Sequence, residues 1–383
     1  MPSSIEVSLA PARSGWLASL VASLRENGPL LLVVALYLAA ADSLSAILGT
    51  PHRSFDRLAD SYEGYVAICF AGLSLAFIAW ILHVTIVRKI SIQTREAWRL
   101  VGTEFLSRER ILLALPILAI WPVLSRAFSL VKALIPAVQP FHLDPFFYQL
   151  DRAIHFGQDP WTLLQPLLGY PIVTYGINLL YALWLFIIYF AILQQITTLR
   201  DRRFRLQFLL AMVLAWTLLG GVGATLLSSA GPCYYALVVG GADPYAAQMV
   251  YLRETVQNTH ISIFGLDKKL DLIAVTVQDL LWSYYQANDF GFGRGISAAP
   301  SMHVASTWLV ARLAQSYGRR LAILGWSFFA VILVGSVHLG WHYAVDGYIA
   351  IAGAWALWRI TGWWLDRPAV KGFLWPRAAV QGI

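Results

Sequence analysis

The chain has 383 residues and a formal net charge of +7, with 58% hydrophobic and 13% charged residues. Soluble domains carry about 25% charged residues, so the composition excludes an ordinary soluble protein and predicts an all-α integral membrane protein. The basic balance does not indicate nucleic-acid binding, because the basic residues lie in short loops between apolar segments and form no separate domain. The two cysteines support neither a disulfide framework nor a cysteine-rich zinc site.

Eight apolar segments approach the roughly 20 residues that a helix needs to cross a bilayer. They cover residues 29–50, 65–87, 111–135, 170–194, 206–227, 303–317, 321–337 and 342–362. The first has full membrane length, which favours a retained anchor over a cleaved signal. We therefore expect an N-terminal segment with two accessory helices (1–110), a six-helix membrane domain (111–362) and a cytoplasmic tail (363–383).

The charges of the connecting loops predict the orientation of the chain. Residues 88–110, 195–205 and 318–320 contain six, four and two arginine or lysine residues, whereas 136–169 contains only Arg152. Basic loops stay in the cytoplasm, so both termini are expected there, in a plasma or inner membrane. The loops expected on the opposite side are 51–64, 136–169, 228–302 and 338–341.

Two of these outer loops have unusual sequences. Residues 136–169 mix aromatic residues, prolines and acids, which is typical of a helix lying in the membrane interface. Residues 228–302 are too long for a simple connection and predict a lid or an entrance. Within this loop, three aromatic residues suit either a headgroup pocket or the aromatic belt of the interface, namely Trp282, Tyr284 and Tyr285.

Polar residues gather at the outer ends of two predicted spans. Pro300 suits the start of a helix and Ser301 can cap it. His303 would then lie in the first turn, beside free backbone N–H groups that favour an anion such as phosphate. His338, His342 and Asp346 would lie at the same depth, and ionisable residues at a span usually mark a functional site.

His342 and Asp346 are four residues apart, a spacing that places two side chains on one face of a helix. A carboxylate beside an imidazole fixes its tautomer and favours the cation, which is the base-and-orienter half of a nucleophilic site. His303 is a second imidazole that can supply the proton a leaving alkoxide needs. These residues suffice for phosphoryl transfer through a phosphohistidine.

Two other classes of protein remain open at this point. A metal-dependent hydrolase is possible if His338, His342 and Asp346 act as ligands along one helix, although Gly340 disfavours a helix there. A transporter or channel is disfavoured, because the ionisable residues cluster at one surface and no broken pair of half-spans is evident.

The same stretches resemble the type 2 phosphatidic acid phosphatase superfamily over roughly residues 111–362. "APSMH" (299–303) resembles its second motif, Pro-Ser-x-His, and "GSVHLGWHYAVD" (335–346) resembles its third, which ends in His-x-x-x-Asp. The chain is most similar to the branch of the inositol phosphorylceramide synthases, the aureobasidin-sensitive phosphotransferases. Small residues before the second motif, Tyr343 after the third-motif histidine, and "GPCYY" (231–235) carry that likeness.

This resemblance implies a role for each motif residue. His342 would be the nucleophile, Asp346 would orient it and balance its charge, and His303 would protonate the leaving alkoxide and then activate the acceptor. Ser301 and backbone N–H groups would hold phosphate oxygens, with no cofactor or metal. The substrates would be membrane lipids in the bilayer, a phospholipid donor and a lipid or polyol acceptor. With water as acceptor, the same site would make a lipid phosphate phosphatase.

The chain departs from the family pattern at the groups that neutralise phosphate. Gly335 and Ser336 replace the Ser-Arg pair before the third-motif histidine, and the first motif, Lys-x6-Arg-Pro, is absent. Cations from elsewhere must therefore hold the phosphate. The candidates are Arg294, Lys132 and Arg126, with Arg253, Lys268 and Lys269 as further options.

Overall fold

The computed structural model describes residues 15–376 except 53, 57, 264–265 and 290–292. The ends of the predicted N-terminal segment and tail, 1–14 and 377–383, lie outside this range. The helices are α1 Trp16–Ile47, α2 Leu58–Leu82, α3 Arg95–Leu100, α4 Arg108–Val138, α5 Asp144–Ile154, α6 Pro160–Leu168, α7 Pro171–Ala182, α8 Trp184–Thr197, α9 Arg202–Leu214, α10 Ala224–Leu226, α11 Tyr235–Val238, α12 Ala246–Val250, α13 Ile273–Gln286, α14 Met302–Ser316, α15 Arg319–His338, α16 Ala344–Leu365 and α17 Pro368–Leu374.

Shorter elements complete the described part of the chain. π-Helical turns extend α2, α3, α9 and α12, at His83–Val87, Val101–Phe105, Ala215–Gly223 and Tyr251–Val256. A 3-10 turn spans Pro232–Tyr234. Strands β1 (His260–Ile263) and β2 (Leu266–Lys269) form a small antiparallel hairpin that pairs His260 with Lys269. Apart from this hairpin, the described elements are helical, which confirms the predicted α-helical membrane fold.

Among the described residues, six helices are long and apolar enough to cross a membrane. They cover Trp16–Ile47, Tyr62–Val87, Arg108–Val138, Pro171–Thr197, Arg202–Leu226 and Arg319–His338, which confirms a multi-pass membrane protein. The predicted count of eight is not confirmed. The other two predicted spans correspond to α14, which has only 15 residues, and α16, which carries Asp346 and Arg359.

α14 lies mainly in the interior of the bundle, whereas α16 buries one face and exposes Trp355, Ile360 and Trp363. They pack on each other and on α15 and α9, and residues such as Val304, Leu309 and Ala354 are fully buried. Small residues allow the helix backbones to approach closely. A Cβ at Gly325 of α15, for example, would lie 2.7 Å from the Cβ of Ala314 in α14.

The N-terminal helix α1 is joined to the bundle by buried polar contacts. Ser23 Oγ donates to the Leu112 carbonyl at 2.7 Å, and Asn27 Nδ2 donates to the Leu113 carbonyl at 3.0 Å. The buried Glu26 carboxylate accepts a hydrogen bond of 3.2 Å from Arg205 in α9. These contacts join α1 to helices that follow residue 110.

The outer loops contain ordered elements that cover one end of the bundle. The segment predicted as an interfacial helix forms α5 and α6, with Phe146 and Phe156 exposed and Phe147 buried. The apolar stretch near residue 280 of the long loop forms α13. α13 packs on α7, and α5 packs on α16.

Candidate active site

Ser301 caps the helix that carries His303. α14 begins at Met302, and the Ser301 hydroxyl accepts a hydrogen bond of 3.4 Å from the Val304 N–H. The predicted cap is therefore present. Ser301 is fully buried, so its hydroxyl serves the helix, and His303 lies in the first turn as expected.

His342 lies in the turn between α15 and α16. α15 ends at His338, and Gly340 adopts a φ of +73°, which favours glycine. The backbone N–H of His342 donates to the Ser336 carbonyl at 3.0 Å. α16 begins only at Ala344, so the prediction that His342 and Asp346 share a helical face is wrong.

The two motif histidines form a direct pair. His303 Nδ1 lies 3.1 Å from His342 Nε2. On the other side of its ring, His342 Nδ1 donates to the Ala298 carbonyl at 2.8 Å. Because a carbonyl only accepts, we assign the proton of His342 to Nδ1. Its Nε2 lone pair then faces His303, whose Nδ1 carries the hydrogen of the contact.

Asp346 lies behind His342 but is not its nearest partner. The Asp346 Oδ2 atom is 3.5 Å from His342 Nδ1, farther than the Ala298 carbonyl. The same oxygen accepts a 3.0 Å hydrogen bond from the Tyr343 N–H, and the carboxylate is fully buried. Its position suits charge balance for a cationic imidazole, whereas the backbone of Ala298 sets the tautomer.

Asp151 holds the helix that follows His342. Its two carboxylate oxygens accept hydrogen bonds from the N–H groups of Ala344, at 2.8 Å, and Val345, at 2.9 Å. These are free N–H groups in the first turn of α16. Asp151 thus caps α16 from another helix, α5.

Asp144, two turns earlier on α5, holds the neighbouring loop. Its carboxylate accepts from the N–H groups of Ala230 and Gly231, at 2.9 and 2.8 Å, and from the Tyr343 hydroxyl at 2.8 Å. Burial raises the pKa of both Asp144 and Asp151, and the hydrogen bonds that they accept oppose this shift. Sequence reasoning missed both residues, although their seven-residue spacing on an amphipathic helix was a usable signal.

Two glutamines of the long loop hold the turn before His342. Gln248 Nε2 donates to the carbonyls of Val337, at 2.7 Å, and His338, at 3.1 Å. Gln278 Nε2 donates to the Leu339 carbonyl at 2.9 Å. These carbonyls end α15 without helical partners, so the long loop fixes the turn by satisfying them.

His338 does not join the histidine pair. Its Nε2 lies 2.8 Å from the Thr174 hydroxyl on α7. Within the described ranges, no three histidine, cysteine or acidic residues are grouped so that they could hold a metal ion. The geometry therefore gives no support to the alternative in which His338, His342 and Asp346 are metal ligands.

The histidine pair lies on the wall of a cavity of about 360 Å³. The wall is mainly apolar and aromatic, with Phe128, Tyr181, Trp184, Tyr189, Trp216 and Leu281 among its residues. On α4 the lining runs from Lys132 to Ser125, a distance of about 10 Å at 1.5 Å per residue. The cavity thus continues from the level of Lys132 into the apolar bundle.

Two of the predicted phosphate-binding cations line this cavity. Lys132 lies on α4, and Arg294 precedes α14. The Arg294 guanidinium pairs with Asp289 and lies 3.9 Å from the centroid of the Tyr284 ring. Both predicted cations therefore lie on the wall that carries the histidines.

The other candidate cations lie elsewhere. Arg126 Nε donates to the Asp56 carbonyl at 2.8 Å, and the residue does not line the cavity. Arg253 pairs with Asp279 at 2.6 Å. Lys268 and Lys269 belong to strand β2. The geometry therefore favours Lys132 and Arg294 over these cations.

A model of the PAP2 superfamily matches residues 145–362. The chain belongs to the PAP2 superfamily. It is accordingly a membrane enzyme of the phosphatase and phosphotransferase class that acts on lipid phosphates. No curated protein and no solved structure matches the chain. The PAP2 match begins within α5, so Lys132 on α4 lies outside it.

Ser336, in the place of the PAP2 motif arginine, has a different role in this structure. Its hydroxyl donates to the Ile332 carbonyl at 2.8 Å and lies 3.3 Å from the Tyr181 hydroxyl. The Tyr181 ring in turn stacks on His303, with 4.8 Å between ring centroids. In this PAP2 protein, Ser336 therefore contacts Tyr181, whose ring packs on His303.

Proposed function

We propose that this PAP2 protein is a phosphotransferase that moves a phosphate or phospho-headgroup from a lipid donor to an alcohol. The reaction proceeds through a phosphohistidine at His342. The 3.1 Å pair of His303 and His342, with the His342 tautomer set by Ala298, carries the proposal. This tautomer leaves the Nε2 lone pair available for attack on phosphorus.

In the first step, His342 Nε2 forms a bond to phosphorus while the bond from phosphorus to the donor oxygen breaks. The leaving alkoxide takes its proton from His303, which acts as general acid. Because the two ring nitrogens are only 3.1 Å apart, a phosphoryl group that enters between them must widen the pair. The ring of His303 moves aside when the lipid phosphate binds.

In the second step, the acceptor hydroxyl attacks the phosphohistidine and gives its proton to His303. The nitrogen–phosphorus bond breaks, and His342 regains its lone pair. An alcohol acceptor yields a new phosphodiester or phosphomonoester, whereas water yields free phosphate or phospho-headgroup. A lipid phosphate phosphatase is thus the same site with a different acceptor.

Charge neutralisation comes from both sides of the reaction centre. Lys132 and Arg294 would attract the phosphate oxygens, which supports stabilisation of the transition state. Ser301 keeps the first turn of α14 in place, so that its free N–H groups can contribute. Asp346 balances the positive charge that His342 gains when it becomes phosphorylated.

The apolar depth of the cavity supports a substrate with a hydrocarbon chain. We place the protein near the inositol phosphorylceramide synthase branch, with residues 111–362 as its catalytic domain and residues 1–110 as an accessory part. The basic loops favour cytoplasmic termini. The site would then face the outer side of a plasma or inner membrane.

The test uses the purified protein in lipid–detergent micelles with a chelator present. A panel of phospholipids labelled in the headgroup is supplied with and without ceramide and inositol-type acceptors, beside a His342→Ala variant. Label on a second lipid that disappears in the variant supports transfer, and label released only to water supports the phosphatase. Full activity of His342→Ala, or activity only with added metal, would overturn the proposal.

A further inference from the structure

Two buried N–H donors in the lining of this cavity have no hydrogen-bond partner among the described residues. One is the Nδ2 amide of Asn178 on α7, a residue that is only 1% exposed, and the other is the Nε1 indole of Trp341. A buried donor without a partner costs about 1–3 kcal/mol and is rare in folded proteins. Both residues line the cavity that contains His303 and His342.

The remaining polar atom of Asn178 is already used. Its Oδ1 accepts a 2.9 Å hydrogen bond from the Ala274 N–H and so fixes the start of α13. The amide is therefore held in one orientation, with the Nδ2 group as a pure donor. An indole N–H likewise only donates. Each group can therefore donate a hydrogen bond to an oxygen that enters the cavity.

Both residues share the lining of the cavity with His303. Tyr181, one turn after Asn178 on α7, stacks on His303 with 4.8 Å between centroids, and the ring of Trp341 is 6.3 Å from it. The proposed cations Lys132 and Arg294 come from α4 and from the segment before α14. Charged and neutral donors thus come from different elements around one cavity.

This division matches the chemistry of the two oxygens in the reaction. The phosphate is an anion and is best held by cations, whereas an alcohol is neutral and exchanges its proton with the general acid-base. Neutral donors next to His303 therefore suit the oxygen of the alcohol. The apolar lining of the cavity adds contacts with the body of an alcohol that water cannot make.

We propose that Asn178 and Trp341 form a hydroxyl-binding subsite for the alcohol acceptor, which favours transfer over hydrolysis. The inference rests on the proposed function and assigns the acceptor as an alcohol with an apolar body, because the cavity around the donors is apolar. The acceptor oxygen takes hydrogen bonds from these two groups while its proton passes to His303. The bond from phosphorus to His342 breaks as the new oxygen–phosphorus bond forms.

The test follows both products with a short-chain phosphatidic acid labelled on phosphorus and 1-octanol as the probe acceptor. The wild-type protein should form octyl phosphate with saturation in 1-octanol, besides free phosphate. In Trp341→Phe, which keeps an aromatic ring, the KM for 1-octanol should rise about threefold to tenfold, as the loss of one neutral hydrogen bond predicts. The ratio of octyl phosphate to free phosphate should fall in this variant. Asn178→Leu should also raise the KM for 1-octanol.

Thr174→Val is the matched control. Thr174 is a buried polar residue one turn before Asn178 on α7 and does not line the cavity, so its replacement should leave the KM for 1-octanol unchanged. A fall in hydrolysis with no change of that KM in the two test variants would overturn the inference. The absence of octyl phosphate from the wild-type reaction would also overturn the inference. In that case, phosphate release that is lost in His342→Ala would still support the proposed site. Release that survives in His342→Ala would overturn both.

Discussion

The hydroxyl of Tyr343 donates a 2.8 Å hydrogen bond to the buried carboxylate of Asp144. Tyr343 directly follows His342, and Asp144 begins α5. Two helical turns further along α5, Asp151 caps α16 by accepting a hydrogen bond from the Ala344 N–H. Helix α5 therefore holds both residues that follow His342, and it does so through buried carboxylates.

Asp151→Ala should impair both stability and catalysis. The change leaves two N–H groups of α16 without their buried partner, and the loss of a helix cap costs about 0.5–2 kcal/mol. We expect a lower melting temperature and a kcat that falls more than KM rises, because His342 is displaced while the cavity is kept. Thermal unfolding and steady-state kinetics measure the two effects.

Asp159→Asn provides the control for this prediction. Asp159 also precedes a helix, α6, but its side chain makes no capping hydrogen bond, so the variant should behave as wild type. Asp151→Asn retains an acceptor oxygen and should recover part of the lost kcat. Equal activity in Asp151→Ala and the wild type would show that α5 does not position His342.

His303→Ala should slow the reaction in a manner that depends on the leaving group. General acid catalysis contributes about 10²–10⁴-fold, and an alkoxide needs a proton far more than an aryl oxide does. We expect a large loss with a lipid phosphate and a much smaller one with p-nitrophenyl phosphate. The ratio of the two rates in the variant and the wild type is the measurement. An equal loss with both substrates would contradict the assigned role.

The site elements on either side of His342 show how far the sequence alone could lead. The pattern around Ser301 predicted the cap, the start of α14 and the place of His303, because capping depends on adjacent residues. The relation of His342 to Asp346 was misjudged, because the turn at Gly340 ends α15 and α16 starts two residues after His342. Local spacing carries no information on where a helix begins relative to a tertiary contact.

The contacts that hold the site together are long-range and were not predictable from spacing. Gln248 and Gln278 bind the end of α15 across about 60 to 90 residues of chain, and Ala298 contacts His342 through its backbone. A backbone carbonyl has no sequence signature. Arg126 looked equivalent to Lys132 in the sequence, since both lie on α4. The two residues are six positions apart and so lie on different faces of the helix, and Arg126 contacts the Asp56 carbonyl instead.

The C-terminal end of α16 should be sensitive to acid. Hydrogen bonds from Arg203 and Lys371 lower the pKa of Asp366 to about 2. A carboxylate with a lowered pKa stabilises the folded state above its ordinary pKa, and this contribution is lost as the pH falls towards the folded value. The melting temperature of the wild type should therefore fall as the pH is lowered from about 4 to about 2. Asp366→Asn should flatten that part of the profile, and an unchanged profile would contradict the assignment.

Lys132→Met should reduce turnover without loss of the fold. Lys132 lines the cavity with the two histidines, and the removal of one preorganised group that stabilises transition-state charge costs about 10²–10³ in kcat. Methionine keeps the length of the side chain, so the melting temperature should change little. Lys132→Arg should recover part of the rate, because a cation is restored. Arg253→Met is the control, since Arg253 pairs with Asp279 away from the cavity. If Arg253→Met lost as much activity as Lys132→Met, the general positive charge of the outer face would matter rather than a cation at the phosphate.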